Sequence, residues 1–299
     1  MSPLEGLEGY IIHPYIGIPD LRKGVESLST ALMAGRTNQQ FLVFEGVTKD
    51  DLAQIDSKRA SIGSHTRMSH YTDSNLLIIQ LMPSVEHELA HGNLGDQVKV
   101  TLVAMGIKPN NFGRVGAGKY SGPRSSKEDD TAYKPLTRGH RTDWPTIVFE
   151  SGLSGSLPHL RQDAHWWLSN SGGDVKIVIL ISIRLPQKML LVEKWCLAPD
   201  PGSTRAHPNP NLLVPTKIQE LTVTQNPNPQ QGTIQPNAIT VQPGTVATYD
   251  VVGPPLVFEF QNLLLRNPVP PEADVVLTEV ELADGRMVSG NPLTRGVVS

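Results

Sequence analysis

The chain has one cysteine, Cys196, in 299 residues, so no disulfide can form within it and packing alone must hold the fold. Charge of one sign is also missing: charged residues are 18% of the chain and the formal net charge is only -3. That balance gives no general pull towards nucleic acid or acidic lipid, and leaves room only for a local basic groove. No hydrophobic run is long enough to cross a bilayer, the longest being strand-sized stretches such as Ile177 to Ile183. Met1 to Gly9 is neither cationic nor apolar enough for a secretory signal. The expectation is an intracellular protein, cytoplasmic or nuclear, with no membrane partner. Against these absences, 38% hydrophobic residues suffice for a packed core.

The periodicity predicts a helix capped by Asp20, with Leu21, Val25, Leu28 and Leu32 on one face and Gly35 at its end. A second short helix starts at Thr48, with Asp51 three residues on. Met68 to Tyr71 and Leu76 to Met82 read as strands around the turn Thr72-Asp-Ser-Asn75, and Pro83 ends the second. A helix from Ser84 to Met105 follows, then strands near Phe112 to Tyr120, Thr131 to Pro135 and Thr146 to Glu150. Ser156, with Pro158 in the first turn, opens a helix over Leu157 to Asn170 that stops at Gly172-Gly173, its stripe being Leu157, Leu160, Ala164 and Trp167. Strands Val175 to Ile183 and Met189 to Leu197 complete an α/β layer partly covered by helices.

From Pro199 to about Val246 the composition turns to Pro, Asn, Gln and Thr, which lacks the apolar density of a core and predicts a linker or an irregular β-rich lobe. Leu256 to Leu265 and Asp274 to Leu282 regain apolar character and are expected to dock back, with a frayed end from Gly285. The expected divisions are an N-terminal helical region 1–64, a core 65–198, an irregular segment 199–250 and a docking segment 251–299.

Three patterns carry chemistry. His87-Glu-Leu-Ala-His91 matches the zinc-peptidase helix pattern, but the extended form would need Gly at Leu94 and His at Gln97, so a hydrogen-bonding helix face is the preferred reading. Gly113-Arg-Val-Gly-Ala-Gly-Lys119 nearly spells a phosphate-binding loop. Tyr120 stands where the magnesium-holding hydroxyl belongs and no helix follows, so it reads as a glycine-rich strand or turn. Asp130, Glu150 and Lys176 sit at the edges of three expected strands, where two carboxylates and a cation can hold a divalent metal and activate water. Each is equally the type of residue that ends a strand in solvent. Trp166 and Trp167 face different sides of their helix, one towards the core and the other towards a cavity or packed lobe.

Arg67-Met-Ser-His-Tyr-Thr-Asp73, Leu81-Met-Pro-Ser-Val-Glu-His-Glu88, Lys127-Glu-Asp-Asp130, Trp144-Pro-Thr-Ile-Val-Phe-Glu150, Leu157 to Trp167 and Val175-Lys-Ile-Val-Ile-Leu180 carry a resemblance. The chain resembles fungal proteins of the Uma2-like branch of the PD-(D/E)XK family, over roughly residues 65 to 197. The resemblance implies a restriction-endonuclease-like mixed sheet flanked by helices, here followed by a Pro/Asn/Gln-rich C-terminal extension containing β-structure. It implies Asp130 and Glu150 as ligands of Mg or Mn, with Glu88 as an additional helical acid. The chain departs from the pattern at Asp129, where the family has proline, and at Gly152, where it has lysine. Lys176 would then supply the cation from the next strand.

Two functions follow. One is a divalent-metal-dependent phosphodiesterase acting on nucleic acid, with Asp130 and Glu150 on the metal and Lys176 orienting the attacking water. The other is a repurposed, cofactor-free scaffold enclosing a small apolar molecule, such as a cyclase or cycloaddition enzyme of fungal secondary metabolism, with His87, His91, Trp166 and Trp167 lining its cavity. A non-catalytic binding protein and the zinc peptidase come after these.

Overall fold

A computed structural model describes residues 2–7, 9–63, 65–81, 85–115, 118–200, 212–226 and 248–283, without the side chains of 85–92. The chain opens with β1 (Ile12–Pro14), α1 (Ile18–Met33), β2 (Phe41–Glu45), α2 (Lys49–Ser57), β3 (Thr66–Tyr71), β4 (Leu76–Leu81) and α3 (Val85–Ala104). It continues through β5 (Phe112–Val115), β6 (Lys119–Ser121), β7 (Ser125–Glu128), β8 (Thr131–Pro135), β9 (Ile147–Leu153), α4 (Leu157–Asn170), β10 (Ile177–Arg184) and β11 (Met189–Pro199). The last described elements are β12 (Leu213–Gln225), β13 (Tyr249–Val252), β14 (Leu256–Phe258), α5 (Phe260–Leu264), β15 (Val275–Leu277) and α6 (Glu279–Ala283).

These strands form two large sheets, ordered β1-β2-β4-β3-β7-β6 and β13-β12-β11-β10-β9-β8-β5, and a two-stranded β14-β15 pair. β1 and β2 run parallel, as do β9 and β10, and every other pair is antiparallel. The fold is therefore mixed α/β with helices flanking its sheets. The second sheet is covered by α3 and α4. α4 lays Leu160, Ala164 and Trp167 on Val148, Val178 and Leu180, while Leu94, Val98 and Leu102 of α3 join Phe112, Ile147 and Phe149 in the larger core. The alternation Val148/Phe149 thus sends one residue to each helix layer, as the two-residue period of a strand requires.

Local signals place most elements. α1 buries Leu21, Val25 and Leu32, but its cap is Gly17 and Pro19 lies in its first turn beside Asp20. Proline's fixed φ starts the helix earlier than Asp20 would, and leaves the aspartate to face the positive helix end. Thr48 and Asp51 close a capping box on α2, each side chain accepting the other's backbone N–H. Gly35, with φ 65, takes the left-handed turn after α1.

Two expectations need correction. The stretch 112–120 is not one strand: β5 pairs with β8 in the second sheet, whereas β6 pairs with β7 in the first. Within the segment read as a linker or an irregular β-rich lobe, Leu213–Gln225 is one long strand paired along β11, with a register shift opposite Lys194 and Trp195. Only Leu221 and Val223 of it are fully buried apolar residues, so its polar face masks a strand that the neighbouring ladder imposes. Among the described residues β13 covers only Thr222 to Gln225 of it, which leaves Pro215 on an edge stretch of the strand, where proline is tolerated. Leu256, Phe258, Phe260, Leu263 and Leu277 return to the larger core, anchored by Lys194 Nζ, 2.7 Å from Glu259 Oε1. Residues 285–299 lie outside the described residues.

Candidate functional site: a buried acid and cation centre

Lys127-Glu128-Asp129-Asp130 joins the two sheets. β7 ends at Glu128 in the first sheet and β8 starts at Thr131 in the second, so two residues make the crossing. Each acid in this link accepts a backbone N–H from a different segment. Glu128 Oε2 takes Met68 N at 3.0 Å, Asp129 Oδ1 takes Gly118 N at 2.8 Å, and Asp130 Oδ2 takes Ser151 N at 2.8 Å. Glu128 also pairs with Arg59 at 2.7 Å.

Thr131 lies opposite Phe149, which puts Asp130 beside Glu150 on neighbouring strands. The exposure of Asp130 is 4% and that of Glu150 is 0%. Each carboxylate is clamped by one oxygen. Ser151 N and Oγ hold Asp130 Oδ2, and Trp167 Nε1 donates to Glu150 Oε1 at 2.5 Å. The other oxygens, Asp130 Oδ1 and Glu150 Oε2, are buried without a hydrogen-bond partner, though Arg67 Nε stands 3.8 Å from Asp130 Oδ1.

The cation of this centre is Lys127. Its Nζ is 2.9 Å from Asp163 Oδ1 and 3.8 Å from Glu150 Oε1, and it donates to Ser69 Oγ at 3.4 Å. His159 Nε2 lies 3.7 Å from the same Asp163 oxygen. Burial pushes the Glu150 carboxyl well above its usual range against the pull of Lys127, and pushes Asp129 up to about 7. Loss of hydration is the larger cause of both shifts; Lys127 opposes it at Glu150 and Arg67 at Asp129, while the neighbouring Asp130 adds to it at both. Tyr71, whose hydroxyl burial raises to about 12, stands against Lys127 and Asp163 and remains protonated.

Lys176 is elsewhere. Its Nζ donates to Gly173 O at 2.5 Å, and its N bonds Thr146 O at the foot of β10, whereas the residue level with Glu150 is Leu180. Four residues along a strand amount to ~13 Å. Trp167 is fully buried against Glu150; Trp166 is edge-on to it at 5.0 Å and borders an open pocket. The side chains of Glu88, His87 and His91 lie outside the described residues. Lys127 and Asp163 are the residues that the spacing argument passed over. For Asp163 a signal exists, because it interrupts the stripe Leu160, Ala164, Trp167 at core spacing, and a charge there needs a buried partner.

The glycine at 152 has a steric cause. A β-carbon there would collide with Ser156 Oγ and press on Gln40 Oε1 at 3.3 Å. Both neighbours are tied down, since Ser156 Oγ donates to Leu153 O and Gln40 Oε1 accepts Leu153 N, each at 2.6 Å. Gly152→Lys is therefore expected to cost about 1–3 kcal/mol of stability, which urea denaturation checks.

No protein-family model matches the chain, and no curated protein does. Among solved structures, one described as "a putative nuclease belonging to DUF820" from Anabaena variabilis is similar, with 14% identity over 45% of this chain and 81% of its own and a TM-score of 0.32. At that score the likeness says nothing about chemistry.

Proposed function

We propose that the chain is a divalent-metal-dependent phosphodiesterase of PD-(D/E)XK type, with Asp130 and Glu150 as the metal-holding carboxylates. One observation carries this reading: the two carboxylates sit side by side, each fixed by one oxygen and each presenting a second that no hydrogen bond satisfies. Among the described residues no group of three or more His, Cys, Asp or Glu is arranged to hold a metal. Magnesium is commonly held by only one or two carboxylates, with water and substrate phosphate completing its shell, so a pair of hard oxygen donors fits it. When bound, such a cation supplies Lewis acidity towards a phosphoryl oxygen.

The protein's own groups position the acids. Ser151 fixes Asp130, Trp167 and Lys127 fix Glu150, and Asp163 keeps Lys127 charged in a place where burial alone would discharge it. Lys127, rather than Lys176, takes the cation's part in this proposal.

The alternative of a small apolar ligand has less support. The roughly 600 Å³ pocket beside Tyr71 and Trp166 is lined also by Arg124, Asp73, Gln162 and Asn170, which suits a polar ligand.

Calorimetry with magnesium and manganese, alongside cleavage of plasmid and single-stranded DNA, tests the proposal. Asp130→Asn keeps an oxygen for Ser151 N–H and is expected to lose metal binding and to cut at least about a hundredfold more slowly. Cleavage unchanged in Asp130→Asn and Glu150→Gln, or a wild type that binds neither metal, would sink it.

A further inference from the structure

The pocket of about 600 Å³ lies where α4 meets the β3–β4 and β6–β7 turns, and Tyr71 and Trp166 are shared between its wall and the surroundings of the acid centre. Trp166 is held in place by its indole N–H, which donates to Ser125 Oγ at 2.7 Å, so its ring contributes a fixed apolar wall. Gln162, one residue before Asp163 on α4, lines the same pocket, and its Oε1 is buried with no hydrogen-bond partner. A buried amide oxygen without a donor costs free energy that an incoming N–H group would recover. Arg124 stands on the lining, 3.2 Å from Asp73 and largely exposed, available to a phosphate without being buried.

We propose that this pocket binds a nucleobase carrying an exocyclic amino group, with Gln162 reading the base edge, the Trp166 and Tyr71 rings forming its walls, and Arg124 meeting the attached phosphate. A primary amide offers a donor and an acceptor side by side, the arrangement that pairs with adenine. Aromatic walls supply the stacking surface that unpaired bases use. The choice of ligand rests on the phosphodiesterase reading, to which the pocket adds a base subsite, but binding there needs no metal.

The test is titration of the full chain with AMP and UMP in EDTA, repeated on Gln162→Leu, Ser169→Trp and Asp130→Asn. Ser169 lines the pocket from an exposed position on α4, so a tryptophan there fills the space with little risk to folding. AMP is expected to bind wild type and Asp130→Asn alike, at least tenfold more weakly to Gln162→Leu, and not to Ser169→Trp, while UMP binds wild type at least fivefold more weakly than AMP. Wild type that fails to bind AMP, or AMP affinity that stays within twofold in both pocket variants, overturns the assignment. AMP binding with this pattern by a protein that cleaves no phosphodiester would keep the base pocket and remove only the hydrolytic reading.

Discussion

Lys127→Met is expected to destabilise the protein by about 3–5 kcal/mol at pH 7, more than a substitution of similar volume elsewhere in the core. Lys127 is 3% exposed, and its Nζ is the nearest cation to Asp163 at 2.9 Å and to Glu150 at 3.8 Å. Removing it strands acids that water cannot reach. The loss comes mainly from the acids left behind, so it should shrink when one of them is removed as well. Lys127→Met with Asp163→Leu is expected to recover at least half of the single-variant loss. Urea denaturation followed by tryptophan fluorescence measures all three proteins. A single-variant loss under about 1 kcal/mol would mean that the ion cluster is not what holds this region.

Asp129→Asn should act in the opposite direction. Burial raises the Asp129 carboxyl from 3.8 to about 7, opposed by Gly118 N–H and Arg67 and assisted by the neighbouring Asp130. In the unfolded chain this group ionises near pH 4, while in the folded protein it stays protonated until about pH 7. Below pH 4 both states carry the proton and Asp129 costs nothing. Between pH 4 and 7 the unfolded state alone gains by ionising, so the penalty on folding grows, and above pH 7 it is complete at up to about 4 kcal/mol. Asparagine is neutral at every pH and keeps an oxygen for Gly118 N–H. The variant is expected to match wild type at pH 4 and to exceed it by about 2–4 kcal/mol at pH 8, read from urea curves at both pH values. Equal stabilities at pH 8 would show that Asp129 ionises in the folded state without cost.

Much of the scaffold is visible in short stretches of sequence. The ends of α4, its apolar stripe and the capping box at Thr48 are local, so they can be read without knowing what lies across the core. Asp130 and Glu150 fall on adjacent strands because a short meander connects them, and that adjacency too is a local property. Lys127 and Asp163 are different. They are 36 positions apart by their numbering and meet only because the first sheet packs its β7 end against α4. Lys176, by contrast, has the right residue type on the right strand but the wrong level, and Gly173 O holds its ammonium group. β12 was hidden for a related reason, since its partner and not its own composition makes it a strand.

The link between the sheets also bears on how the molecule comes apart. Met68, Gly118 and Ser151 are distant in sequence, yet their amide protons are held by three consecutive carboxylates. Glu128 and Asp129 tie the link to Met68 of β3 and to Gly118 just before β6 in the first sheet, and Asp130 ties it to Ser151 of β9 in the second. The two sheets are therefore expected to open together, as one transition in place of two separable layers.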